Sequence, residues 1–156
     1  MKNIRKLARA EITDLNYNEL KLIGIALYWA EGYKRPLFRN GRELTHHSVA
    51  LTNSDPYLIK VFLRFLREIC KISDDRISAD IRIYKHLNEQ ELLKYWQGIT
   101  NLPSRNFGKV YYGISKSSQG KRPFNRLPHG TILIRVNITN TFHKIMGWLE
   151  GLKEKS

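Results

Sequence analysis

The sequence predicts a single α+β domain in which several helices gather on one side of a sheet. Two periodicities carry that prediction. Apolar residues recur at three- and four-residue spacing over 20–30, 58–69, 92–99 and 142–152, as in helices with one buried face. Residues 76–84 and 132–138 instead alternate apolar and polar, as in half-buried strands. Helices segregated to one side of such a sheet leave its other face to solvent or to a partner. The chain has 156 residues, 42% of them hydrophobic, with three Trp, eight Tyr and six Phe, enough for one compact core. Residues 16–156 form that domain, and the basic stretch 1–15 is an arm or a short helix.

Asn16 followed by Glu19 has the form of a capping box, starting a helix over Leu20–Ala30 that Gly32 ends and Pro36 cannot continue. Residues 36–53 read as a ββ unit, with Asn40-Gly41 as a type I′ hairpin signal and Ser48–Thr52 leading into the next helix. That helix opens at Asn53-Ser54-Asp55-Pro56, and Leu58, Ile59, Phe62, Leu66 and Ile69 define its buried face. Ile77, Ala79, Ile81 and Ile83 then alternate with Arg76, Ser78, Asp80, Arg82 and Tyr84, giving a strand with a basic-aromatic outer side. Asn88 and Glu91 cap a third helix bearing Leu92, Leu93, Trp96 and Ile99, which Leu102-Pro103 ends. A strand around Phe107–Ile114 and a loop over Ser115–Gly130 follow. Ile132, Ile134, Val136 and Ile138 alternate with Leu133, Arg135 and Asn137 in the last strand, and Phe142, Ile145, Met146, Leu149 and Leu152 form a closing helix. The order is αββαβαββα. Leu27-Tyr28-Trp29 with Gly32 and Lys94-Tyr95-Trp96 with Gly98 make a faint internal echo.

Twenty-seven Lys and Arg against fourteen Asp and Glu give a net charge of +13 and a pI near 10.0. That balance points to a polyanion partner, nucleic acid first and an anionic membrane second. No acid occurs between Leu92 and Leu149, where Lys94, Arg105, Lys109, Lys116, Lys121, Arg122, Arg126, Arg135 and Lys144 accumulate. No apolar run reaches the ~20 residues of a membrane span and no signal-peptide pattern opens the chain, so the expected location is intracellular, cytoplasmic or nucleoid-associated. The single Cys70 excludes a disulfide framework and a cysteine-based zinc site, and reads as a small buried hydrophobe. His46 and His47 are adjacent, which on a strand sends them to opposite faces and away from a shared metal.

The most unusual residue is Glu31. It is the only charge in the run Gly24-Ile25-Ala26-Leu27-Tyr28-Trp29-Ala30-Glu31-Gly32 and falls in the last helical turn. A negative charge there opposes the helix dipole, and a lone carboxylate in apolar surroundings is costly. A docked cation removes the objection.

This run resembles the LAGLIDADG motif of homing endonucleases and their regulatory relatives, with Ala26 and Ala30 at the small-residue positions and Glu31-Gly32 as the terminal acid and glycine. Trp29 stands where an acid is usual, and Glu replaces the commoner Asp. The resemblance implies an αββαββα fold, a curved antiparallel sheet with helices packed on one face that lies in the major groove of double-stranded DNA. It implies close packing of two motif helices through Ala26 and Ala30, hence a homodimer. It also implies a metal-dependent, site-specific DNA endonuclease in which Glu31 and Gly32 hold Mg²⁺ or Mn²⁺ and Lys85 assists. Outward residues Arg82, Tyr84, Arg135 and Asn137, with Arg39 and Arg42 on the hairpin, then reach the bases, Lys109 and Lys116 contact phosphates, and Lys121, Arg122 and Arg126 wrap the backbone. Relatives that bind DNA or structured RNA without cutting, as regulators or maturases, use the same basic sheet. Taken alone, residues of these types are more often small core residues at Ala26 and Ala30 and a solvated strand end at Lys85, and Glu31 can pair with Lys34 or Arg35.

Overall fold

The two periodicities resolve into a mixed α and β architecture. The computed structural model describes residues 2–35, 38–44, 46–84, 87–113 and 127–156. Its elements are α1 Lys2–Ala10, α2 Tyr17–Glu31, β1 Phe38–Arg39, β2 Arg42–Glu43, β3 Val49–Asn53, α3 Pro56–Arg64, β4 Ile77–Ile83, α4 Glu89–Thr100, β5 Tyr111–Tyr112, β6 Thr131–Val136 and α5 Thr139–Lys155.

Side chains start three of the helices by satisfying amide groups that the first turn leaves unpaired. The Glu19 amide donates to Asn16 Oδ1 at 3.0 Å and the Asn16 amide to Glu19 Oε2 at 2.8 Å, closing the box that opens α2. Asp55 accepts from the amides of Tyr57 and Leu58 ahead of α3, and Asn88 from that of Glu91 ahead of α4. The regular helix expected to reach Ile69 passes at Phe65 into a π turn, in which the Cys70 amide donates to the Phe65 carbonyl at 3.0 Å. Phe65 lies against Gly24 of α2, where a Cβ would fall 2.1 Å from its ring. The absent side chain lets the two helices meet.

The main sheet has the order β3-β6-β4-β5, with β6 antiparallel to both neighbours. It is not antiparallel throughout: β5 runs parallel to β4, pairing Arg82 with Tyr111 and Ile83 with Tyr112. The physical reason is α4, because a helical crossover carries the chain back to the end of the sheet where β4 begins, whereas a hairpin starts the next strand at the end where the last one finished. The unit expected over 36–53 also divides. Among the described residues β1 and β2 pair with each other and not with the main sheet, through Asn40 and Gly41 at φ 52 and 75 as a type I′ turn requires, while β3 joins the main sheet. The strand expected around Phe107–Ile114 shortens to β5, with Phe107 touching Ala79 as an isolated bridge, while Ile114 lies outside the described residues.

Alternation gives the sheet one wholly apolar face. Val49 and Leu51, Ile77, Ala79, Ile81 and Ile83, and Ile132, Ile134 and Val136 are all buried. They share a core with Leu20, Ile25 and Tyr28 of α2, Ile59 and Phe62 of α3, Phe65, and Ile145 and Leu149 of α5. Trp96 of α4 is buried as well; its indole N–H donates to the His129 carbonyl at 2.8 Å, while Tyr95 stacks on the His129 ring at 3.8 Å. α4 thereby holds the turn that feeds β6. The internal echo does not survive packing: Trp29 is 43% exposed over a buried Tyr28, whereas Trp96 is buried beside a half-buried Tyr95.

Two buried acids make the core sensitive to alkali. Burial pushes the Tyr28 phenol from 10.0 up to about 12, against a small opposing effect of the Ala50 backbone. Burial likewise pushes the Cys70 thiol from 9.0 up to about 12, Lys144 opposing. Each group holds its proton more tightly folded than unfolded, so its contribution is complete below the unfolded value and is lost as pH rises through the folded one. The expected result is an unfolding free energy that declines between about pH 9 and pH 12 by several kcal/mol, at roughly 1.4 kcal/mol per unit of separation. Denaturant titrations over that range check it: Cys70→Ala flattens the lower part and Tyr28→Phe the upper, and a level profile in the parent protein contradicts it.

Candidate nucleic-acid interface

The residues that alternate with the core line the opposite face of the sheet. Register sets them in three rows: Ala50, Arg135 and Ser78; Thr52, Leu133 and Asp80; and Thr131, Arg82 and Tyr111. Only Ala50 among them is buried. α2, α3, α4 and α5 pack on the apolar side, and this face stays open.

One rim of the face is made by the end of α2. Gly32 bridges Leu51, and the Tyr33 amide donates to the Ala50 carbonyl at 2.9 Å, so the chain leaving α2 runs beside β3. Tyr33 then lines a concavity of ≈ 190 Å³ with Asp80, Arg82, Tyr111 and Arg135. Tyr33 and Tyr111 come from opposite edges of the sheet and are 61% and 51% exposed, giving the cations aromatic flanks. On the far edge the Tyr112 hydroxyl donates to the Glu89 carboxylate, a bond that raises the phenol and ties β5 to the first turn of α4. A second concavity of ≈ 380 Å³, near the start of β4, is lined by Arg76, Ser78, Arg105 and Asn137.

Arg82 is exposed and Arg135 half-buried, both on the open face, and Asn137 is exposed one residue past β6. Lys109 is exposed beside β4, next to Gly108, whose amide donates to the Ala79 carbonyl. Tyr84 has left the strand and is half-buried. Arg39 and Arg42 are exposed on the separate hairpin, directly opposite one another. Like charges so placed repel, and an anion between them relieves the repulsion. Lys85, Lys116, Lys121, Arg122 and Arg126 lie outside the described residues. The sequence reading did not single out Asp80, Tyr33 or Tyr111 for the interface. Asp80 was available from its two-residue spacing to Ser78 and Arg82; Tyr33 carried no local signal, since only its pairing with Ala50 brings it to the sheet.

Around α2 the structure corrects two expectations. Ala26 and Ala30 are exposed rather than core residues, and Glu31 is exposed, so this chain does not incur the desolvation penalty anticipated for the carboxylate. Among the described residues Glu31 forms no ion pair with Lys34 or Arg35. Lys34 bends back onto the helix end instead, its Nζ donating to the carbonyls of Tyr28 at 3.3 Å, Trp29 at 2.8 Å and Gly32 at 2.7 Å. The ammonium satisfies the C-terminal carbonyls and offsets the dipole. Gly32 is extended, with φ −75, so its missing side chain serves space and not backbone freedom: a Cβ would fall 2.3 Å from the Tyr28 ring.

The same geometry bears on metal binding. The Gly32 carbonyl already accepts from an ammonium, and Glu31 is one solvated carboxylate; among the described residues no cluster of three His, Cys, Asp or Glu is present. The rings of His46 and His47 have separate partners, His46 Nδ1 meeting Thr139 Oγ1 at 3.1 Å and the His47 ring stacking on Phe142. No helix among the described residues is long and apolar enough to cross a membrane.

Compared with models of known protein families, with curated proteins and with solved structures, the chain gives no match.

Proposed function

We propose that this chain binds double-stranded DNA as a LAGLIDADG-type homodimer, laying the open face of its sheet against the duplex. The observation that carries the proposal is that face itself, which sets Arg82 and Arg135 between two exposed tyrosines in a protein of net charge +13. Cations neutralise phosphates and release counterions, while arginines on a strand present donors to base edges in the major groove. Binding to duplex DNA is expected to weaken steeply with salt, which titrations at several salt concentrations measure; a flat response removes the proposal. Structured RNA is expected to compete poorly, because the major groove of an A-form helix is too narrow for side chains to read.

Pairing is supported by α2. A helix apolar around most of its circumference needs cover on more than one side. The fold buries Leu20, Gly24, Ile25 and Tyr28, leaving Leu22, Ile23, Ala26, Trp29 and Ala30 exposed along the other side. A second copy packed there through the two alanines buries those residues and brings two open faces side by side. Trp29→Glu is expected to weaken self-association by about thirtyfold or more, as loss of a central aromatic anchor does. Sedimentation at graded concentrations checks this, and a variant that associates as the parent does rules out the α2 interface.

Whether the dimer cuts is a second question on which two observations differ. Glu31, exposed at the rim of the open face, supports the endonuclease reading. Lys34, seated on the Gly32 carbonyl, supports binding without cleavage, as in a regulator or maturase, and this is the reading the residues of one copy favour. Plasmid DNA incubated with the protein and Mg²⁺ or Mn²⁺ is expected to stay intact. Cleavage that Glu31→Gln abolishes while binding persists establishes the nuclease instead.

A further inference from the structure

The acid on the open face is unexplained by phosphate binding, which it opposes. Asp80 lies between Ser78 and Arg82 on β4, beside Leu133 and diagonal to Arg135. Its carboxylate is 19% exposed and forms an ion pair with the Arg135 guanidinium at 3.6 Å, longer than a hydrogen bond. Among the described residues neither side chain makes a hydrogen bond, so Asp80 keeps its acceptors and Arg135 its donors. Among the described residues no side-chain polar atom is sealed off unpaired, so the unbonded atoms of this pair remain open to a ligand. The carboxylate is also held in place: the Gly108 amide is bonded to the Ala79 carbonyl, and a Cβ on Gly108 would fall 2.2 Å from Asp80 Oδ1. Glycine there leaves the room that the carboxylate fills.

We infer that Asp80 and Arg135 together read one G·C base pair in the major groove. This rests on the DNA-binding reading above and adds a sequence preference to it. On the major-groove edge guanine presents two acceptors, N7 and O6, and cytosine a donor, N4, beside them. The O6 and N4 groups are hydrogen-bonded to each other at about 2.9 Å, a separation that suits a donor and an acceptor held 3.6 Å apart. Arg135 offers two donors to guanine and Asp80 an acceptor to cytosine. An A·T pair interleaves its donor between two acceptors, so the arginine loses its bidentate contact and the discrimination follows.

The test is selection from a pool of random-sequence DNA duplexes by the full chain and by two variants, with the affinity for unselected duplex measured alongside. Wild type is expected to enrich a G·C pair at one position, or at two symmetric positions in a homodimer. Asp80→Ala is expected to relax that preference by about tenfold or more. It also tightens binding to unselected duplex, since a negative charge leaves the interface. Gly108→Ala keeps the charge but displaces the carboxylate, and is expected to relax the same position without tightening unselected binding. A preference unchanged in both variants, or an affinity that falls equally for all sequences in Asp80→Ala, overturns the inference and leaves DNA binding standing. A wild-type protein that retains no duplex, or prefers structured RNA, overturns the DNA-binding reading and the inference with it.

Discussion

Replacing Arg82 and Arg135 together by alanine is expected to weaken binding to duplex DNA by on the order of a hundredfold, at about 1–3 kcal/mol for each lost base contact. Both side chains leave the open face and neither is buried, so the thermal midpoint should move little. The salt dependence separates two roles for each arginine. One that neutralises a phosphate removes about 0.9 from the slope when it goes, and one that reaches a base edge leaves the slope nearly unchanged. An affinity equal to that of the parent protein would show that the sheet face is not the interface, and would direct attention to the Arg39 and Arg42 pair on the hairpin.

Truncation of Trp96 to alanine should have the largest effect on stability. The side chain is completely buried, and removing it is expected to cost about 3–5 kcal/mol in lost burial and cavity. The His129 carbonyl also loses its donor, and the turn leading into β6 loses its anchor on α4. Against a typical total of 5–15 kcal/mol for a domain, little margin is left. Urea unfolding measures the difference. Trp29→Ala is the control, because its ring is 43% exposed and the folded monomer should lose less than about 1 kcal/mol. A Trp96 variant as stable as the Trp29 variant would mean that α4 is not part of the core.

Periodicity and capping made most of the elements legible. Asn16 with Glu19, Asp55 with Pro56, and Asn88 with Glu91 signal helix starts because each satisfies amides within three residues of itself, a chemistry that needs no tertiary partner. The apolar sets of β4 and β6 were equally plain, since a strand buried on one face must alternate. Pairing partners were not legible in the same way. That β5 lies parallel to β4, or that β1 and β2 stand apart from the main sheet, depends on contacts between residues distant in the chain.

The site divides along the same line. Arg82 and Arg135 follow from alternation, and Asp80 follows from the same two-residue spacing, an acid within a basic surface. Sequence proximity suggests Lys34 as a partner for the Glu31 side chain; its contact with three backbone carbonyls depends on how the chain turns after Gly32. Residues 24–32 by themselves determine a helix too apolar to be covered on one side only, and composition determines a strongly cationic protein. Which side of that helix is covered, that Glu31 is solvated, and that Tyr33 and Tyr111 converge on one concavity were decided by tertiary structure. The reason is that a strand or helix pattern specifies which side chains share a face, while only the packing of elements specifies what that face meets.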